Sequence, residues 1–197
     1  QENYYGAGYH ILHKRLIAHQ PHFRRKAPKM RIRFAAALLL LTGLFPVAAN
    51  AGFLTTTFAG GNQFHGNMFD VTTFGSDLTI TGLDVHLDST GANVPIAVYY
   101  RTGTYVGNAT SSIGWTLAGT TNVVSNGVGT PTFVDIADFN LSANSLYGMY
   151  VTVVATVNVP PYMQYTNGNN TYSNSDLRID AGIGHGGQFG SLGVFSP

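Results

Sequence analysis

Residues 146–157 read LYGMYVTVVATV, an almost unbroken apolar run that follows a polar Ser-Ala-Asn-Ser segment. Successive side chains of a strand point to opposite faces of the sheet, and here both the odd-numbered and the even-numbered positions are largely apolar. Such a run is typical of a strand that is covered on both faces. It therefore predicts a central strand of a β-rich domain.

Weaker strand patterns lie on both sides of this run. Residues 78–88 alternate apolar and polar side chains, and a change of phase at Gly82-Leu83 predicts a β-bulge. No stretch downstream of residue 51 keeps apolar residues at helical spacing for more than about two turns. The pattern predicts an all-β fold, an antiparallel β-sandwich of jelly-roll type. Further strands are predicted at 94–101, 115–124, 132–141, 163–165 and 177–181.

The charge of the chain divides into two unlike parts. The 197 residues carry a formal net charge of +1 and no cysteine, but residues 1–33 hold eight of the ten Lys and Arg. Residues 34–197 hold two arginines and eight aspartates, a net charge of −6, with no lysine and no glutamate. The absence of cysteine excludes disulfides and Cys-based zinc or redox sites. The acidic balance argues against nucleic-acid binding, and the absence of lysine excludes Schiff-base chemistry.

The N-terminal part has the features of an export signal. A basic start at Met30, an apolar run over 34–49 and the sequence Ala49-Asn50-Ala51 predict a Sec-type signal peptide over 30–51. The alternative is a membrane anchor, but 16 apolar-rich residues are fewer than the roughly 20 that a spanning helix needs. Residues 1–29, rich in His, Lys and Arg, are predicted to be a non-native or disordered upstream leader. The mature protein is then a single domain, 52–197, secreted or held at the surface of a bacterium.

Eight short segments follow one another in an order that matches a known type of domain. The segments are 67–71, 78–85, 98–105, 115–119, 147–151, 165–168, 175–179 and 182–184. Their order resembles that of an uncharacterised secreted bacterial β-sandwich domain, of the kind found in PEP-CTERM sorting-domain proteins. The resemblance covers most of 64–197 and implies a fold rather than an activity. It also implies that the chain is a fragment, because the pattern usually continues past Pro197 with a further strand and sometimes a sorting tail.

Two groups of polar residues are candidate metal sites. Asp84, His86 and Asp88 share one face of a predicted strand, but neighbours at that spacing stand nearly 7 Å apart. The alternative is that they form the solvated face of a half-buried strand. The oxygen-rich segment 167–180 offers Asp176 and Asp180 as weak ligands for a structural Ca²⁺, although its spacing matches no known calcium loop. No other cofactor is predicted.

Aromatic residues near loops are candidates for saccharide binding, because their rings offer an apolar face and a polar tip. Tyr100 and Trp115 are expected to pack in the core instead. The candidate ligand-binding residues are Tyr162, Tyr165, Tyr172, Asn167 and Asn170.

Together these features predict a non-catalytic exported module of the cell surface or matrix, structural or adhesive in role. The first alternative is a carbohydrate-binding module that uses the loop Tyr and Asn/Asp residues. The second is an Asp-based hydrolase, which is less favoured because 52–197 contains no Gly-x-Ser-x-Gly elbow and no glutamate for a glycosidase pair. Predicted partners are a polysaccharide or matrix components. Membrane contact is predicted only through the signal peptide or a C-terminal anchor beyond Pro197.

Overall fold

The computed structural model describes residues 52–58, 60–166 and 168–195. Over these residues the fold is all-β, as predicted, and the regular elements are antiparallel strands plus one short 3-10 turn at Gln188–Gly190. The predicted leader and signal peptide, 1–51, lie outside the described residues. Within the described part of the chain, no helix is both long and apolar enough to cross a membrane. The strands are β1 (Asn62–Phe64), β2 (Gly66–Thr73), β3 (Leu78–Ile80), β4 (Leu83–Val85), β5 (Asn93–Thr102), β6 (Thr116–Val124), β7 (Thr132–Val134), β8 (Phe139–Leu141), β9 (Leu146–Val153), β10 (Met163–Tyr165), β11 (Thr171–Ser173), β12 (Leu177–His185) and β13 (Val194–Phe195).

A seven-stranded sheet forms the centre of the domain. Its strands follow the order β11-β12-β2-β9-β5-β6, and β13 pairs with β12. The apolar run at 146–157 supplies β9, which pairs with β2 on one side and β5 on the other. Seven of the eight residues of β9 are buried, so the predicted central strand is confirmed over Leu146–Val153. The predicted continuation over 154–157 is wrong, because these residues follow the strand, and Val154 and Val157 are exposed.

Three two-stranded pairs accompany the large sheet: β1 with β10, β3 with β8, and β4 with β7. The prediction of one bulged strand over 78–88 and one strand over 132–141 is wrong, because the structure divides each into two short strands. The break falls where the apolar phase changes, at Gly82. The ring of Phe133 packs against this glycine, and a Cβ there would lie 2.5 Å from the ring atom Cζ.

One apolar cluster joins these pairs to the large sheet. It includes Val71, Ile96 and Met149 from the sheet, together with Leu83 and Val134 from the β4–β7 pair. All five side chains are at most 3% exposed. Burial of this apolar surface is the main stabilising contribution to the fold.

The opposite face of the large sheet carries aromatic and histidine side chains. Tyr99 and Met68 stand beside Tyr150 on the neighbouring strands, and the residues that follow β12 fold back over this row. The hydroxyl of Tyr150 donates to the carbonyl of Gly187 at 3.0 Å and accepts from the N–H of Phe189 at 3.2 Å. The sheet is therefore covered on both faces.

Candidate functional site

A pocket lies between the neighbouring strands β2 and β12 and the segments that carry β10 and β11. Its volume is about 70 Å³, and it opens at the protein surface. Apolar side chains form most of the wall, and none of the described residues that line it is charged. The lining residues are Thr56, Asn67, Met68, Phe69, Tyr165, Thr166, Asn170, Tyr172, Ile179, Ala181 and Gly182.

Three oxygen atoms in the pocket wall lack a hydrogen-bond partner among the described residues. They are Thr56 Oγ1, Asn67 Oδ1 and Thr166 Oγ1, and each is buried at the atomic level. Thr56 as a whole is only 6% exposed. Buried polar groups in folded proteins nearly always have a partner, and leaving one unpaired costs about 1–3 kcal/mol. Among the described residues nothing satisfies these three atoms, so each of them is open to a hydrogen bond from water or from a ligand.

Two tyrosines complete the pocket in different ways. Tyr165 is buried, and burial raises the pKa of its phenol to about 12. Its ring packs on Gly184, where a Cβ would lie 2.7 Å from the ring atom Cζ, so a larger residue at 184 would displace it. Tyr172 is half-buried and stands opposite Ile179 on β12. Tyr165 thus forms a fixed wall, while Tyr172 lies where a ligand at the mouth would contact it.

The structure brings together three of the five residues predicted to bind a saccharide. Tyr165, Tyr172 and Asn170 all line the pocket. Asn167 lies outside the described residues. Tyr162 lies elsewhere: its ring is 5.0 Å from that of His65, and its N–H donates to Asp88 Oδ1 at 2.9 Å.

The candidate calcium ligands Asp176 and Asp180 are not brought together. Asp176 lies in the turn between β11 and β12, and Asp180 lies within β12; four residues of extended chain span about 13 Å. Asp180 accepts from Arg178 Nε and from Thr171 Oγ1, both at 2.9 Å. Nowhere in the described ranges do three or more His, Cys, Asp or Glu side chains group to hold a metal ion. The structural Ca²⁺ stays a prediction.

The cluster of Asp84, His86 and Asp88 does not form the solvated strand face that the alternation predicted. Asp84 and His86 are 8% and 1% exposed, because both sides of this segment pack against the rest of the fold. His86 Nε2 accepts from the N–H of Gly129 at 2.7 Å, its ring stacks on Phe58, and burial lowers its pKa. These contacts give the cluster a role in packing.

Sequence reasoning missed three polar residues of the pocket: Thr56, Asn67 and Thr166. Asparagine is depleted in strands, so Asn67 stands out once the structure places it inside β2, but no strand was predicted there. Thr56 lies in a run of three threonines with nothing local to distinguish it. Only the fold places these residues together.

Comparison with family models, with curated proteins and with solved structures gives no match to this chain. The resemblance to secreted bacterial β-sandwich domains stays a prediction.

Proposed function

We propose that residues 52–197 form an exported, non-catalytic module of a cell surface or matrix that adheres by binding a saccharide. One observation carries the proposal: in the described part of the chain, a surface pocket combines tyrosine rings with three buried oxygens that have no partner there, and no charged side chain from that part lines it. The proposal also includes a jelly-roll-type sandwich and Sec-dependent export. The shared apolar cluster of the large sheet and the short pairs supports the first. The sequence pattern at 30–51 supports the second.

The chemistry of the wall suits a neutral, hydroxylated ligand. A threonine hydroxyl both donates and accepts a hydrogen bond, as the polar groups of a sugar do. The apolar face of a sugar ring or of its substituents packs on aromatic rings, and the tyrosines supply that surface. Ligand sites typically combine mostly apolar walls with a few placed polar groups, and this pocket has that composition.

The Asp-based hydrolase is favoured by one observation and opposed by another. Asp70 and Asp180 stand directly opposite each other on β2 and β12, the arrangement that paired carboxylates need. Both are already engaged, however. Asp70 accepts from Thr104 Oγ1 at 2.6 Å and from the N–H of Tyr105 at 2.9 Å, and Asp180 is held by Arg178 and Thr171. The contacts favour a structural role for this pair.

A glycan array probed with the purified chain tests the proposal. We expect reproducible binding to a subset of saccharides, and a loss of at least about tenfold in affinity for Tyr172→Ala. Tyr162→Ala is the matched control, because Tyr162 is also half-buried and was also a candidate, but lies outside the pocket. It should bind like the parent protein.

Three outcomes would contradict this assignment. No binding to any saccharide would leave a purely structural module. Equal losses in the two tyrosine variants would place the site elsewhere. Saccharide cleavage that Asp70→Asn abolishes would establish the hydrolase.

A further inference from the structure

We propose that the pocket accepts the acetamido group of an N-acetylated amino sugar, an inference that rests on the proposed saccharide binding. The size of the pocket gives the first argument. At about 70 Å³, it holds about half the volume of an engineered 150 Å³ cavity that binds benzene. Benzene has six heavy atoms and an acetamido group has four. A pyranose ring with its hydroxyls is too large, so a ring substituent enters the pocket and the ring stays outside.

The walls supply a matching partner for each part of that group. Met68, Ile179 and Ala181 line the pocket and offer an apolar surface for the methyl. The hydroxyls of Thr56 and Thr166 can each donate to one of the two lone pairs of the acetamido carbonyl oxygen. Asn67 Oδ1 can accept from the single N–H of the acetamido group. The ligand would thus satisfy the three oxygens that the described residues leave unpaired.

The absence of charge among the described lining residues disfavours sugar substituents that carry a charge. With no charged side chain among the described residues of the wall, burial of an ammonium or a carboxylate would leave a charge without a counter-ion from them, which is strongly unfavourable. A free amino sugar, which carries an ammonium group, is therefore excluded. A plain hydroxyl is tolerated but leaves the apolar wall without contact.

The mouth of the pocket indicates where the ring lies. Tyr172, Asn170 and Thr166 line the pocket and are half-buried, so they lie between the interior and the solvent. The sugar ring would lie against Tyr172, with the Asn170 amide in reach of its hydroxyls. Contacts of the acetamido group inside the pocket would then determine which sugar binds. Contacts of the sugar ring with the residues at the mouth would add to the affinity.

The test measures affinities of the purified chain for the methyl glycosides of N-acetylglucosamine, glucosamine and glucose by NMR titration. We expect the N-acetylated sugar to bind at least about tenfold more tightly than the other two, as expected when a site rejects a ligand that leaves its polar groups unpaired. Thr56→Val, which keeps the side-chain shape, should remove most of that preference while leaving the affinity for glucose unchanged. Thr57→Val, at the exposed neighbouring position, is the matched control and should bind like the parent.

A second variant keeps the test valid if Thr56→Val perturbs the fold. Ala181→Leu fills the pocket from another lining position, and it should reduce binding of the N-acetylated sugar to the level of glucose. Equal affinity for all three sugars would overturn the acetamido proposal and leave saccharide binding standing. Binding of none of the three, together with a blank glycan array, would overturn both proposals.

Discussion

Two of the buried regions that contain polar atoms without a partner among the described residues differ in their access to solvent. The pocket holds neutral oxygens and opens at the surface. The other region is the end of β12, where His185 is 0% exposed and neither ring nitrogen has a partner among the described residues. The ring of His185 lies 5.2 Å from that of Tyr150, beneath the residues that fold back after β12. An incoming ligand can satisfy the oxygens of the first region, but none can reach the second without opening it.

His86 Nδ1 and Arg101 Nη1 are also buried without a partner among the described residues, but a nearby histidine has a partner for each ring nitrogen. His65 is equally buried, yet its Nδ1 accepts from the N–H of Gly187 at 3.0 Å and its Nε2 lies 3.1 Å from the carbonyl of Val159. The contrast teaches that the cost of an unpaired buried group depends on its chemistry. A neutral oxygen costs the same at any pH, whereas a buried imidazole must also resist protonation.

The largest expected effect is therefore on the pH dependence of stability. Burial lowers the pKa of His185 from 6.5 to about 4. Below pH 6.5 the imidazole of His185 is protonated in the unfolded chain but stays neutral in the folded protein. The free energy of unfolding therefore falls from pH 6.5 to about pH 4 and then levels off. At about 1.4 kcal/mol for each pH unit between the two pKa values, the loss is at most about 3 kcal/mol.

Chemical denaturation of the parent protein and of His185→Phe at several pH values between 4 and 7 measures this contribution. The variant keeps an aromatic ring and cannot protonate, so its stability should fall less steeply as the pH is lowered. His86, whose pKa burial also lowers, remains in both proteins and cancels in the comparison. Identical slopes would show that His185 is not the group responsible.

A smaller effect on stability is expected when the Tyr150 hydroxyl is removed. This hydroxyl is bonded to residues that follow β12 and cover the sheet, here called the covering segment. Tyr150→Phe removes the bonds to the Gly187 carbonyl and the Phe189 N–H and leaves both without that partner. We expect a loss of about 1–2 kcal/mol in the free energy of unfolding and faster hydrogen exchange at the Phe189 amide. Saccharide affinity should not change, because neither Tyr150 nor the covering segment lines the pocket.

Tyr99→Phe is the matched control for this substitution. Tyr99 is half-buried, and its hydroxyl accepts one bond, from Gln188 Nε2 at 3.1 Å. Its loss should cost less than the loss of the Tyr150 hydroxyl. A larger loss of stability for Tyr99→Phe than for Tyr150→Phe would contradict the role of the Tyr150 hydroxyl in holding the covering segment.

Local pattern predicted the centre of this fold better than its periphery. An apolar run fixes both faces of a strand, so β9 was predictable, as was β5 from its alternation over 94–101. The segment 66–73 mixes glycine, asparagine, aspartate and threonine with apolar residues, and no strand was predicted there. It nevertheless pairs on both sides, with β9 and β12, because backbone pairing does not require an apolar side chain at every position.

The candidate site was predictable only in part, for a related reason. Tyr165, Tyr172 and Asn170 stood out as aromatic and amide groups near loops, which is a local property. Thr56 and Thr166 lie 110 positions apart in sequence, and only tertiary folding places them on one pocket wall. A buried hydroxyl without a partner is a property of the folded environment, and a sequence pattern does not record it.

The smallest expected effect on stability is that of a substitution in the pocket, and it can be set against the effect expected at His185. Thr56→Val removes an unpartnered buried hydroxyl and keeps the side-chain shape, so stability should stay the same or rise by up to about 1 kcal/mol. Thermal unfolding measures the change, with Thr73→Val as the matched control, because the Thr73 hydroxyl donates to the Ser142 carbonyl at 2.6 Å and accepts from the Ser145 N–H. That control should be destabilised. If Thr56→Val is destabilised as much as the control, the Thr56 hydroxyl contributes to folding. If stability is kept while saccharide affinity falls, the hydroxyl is retained for binding, at a cost in stability that proteins commonly accept at functional sites.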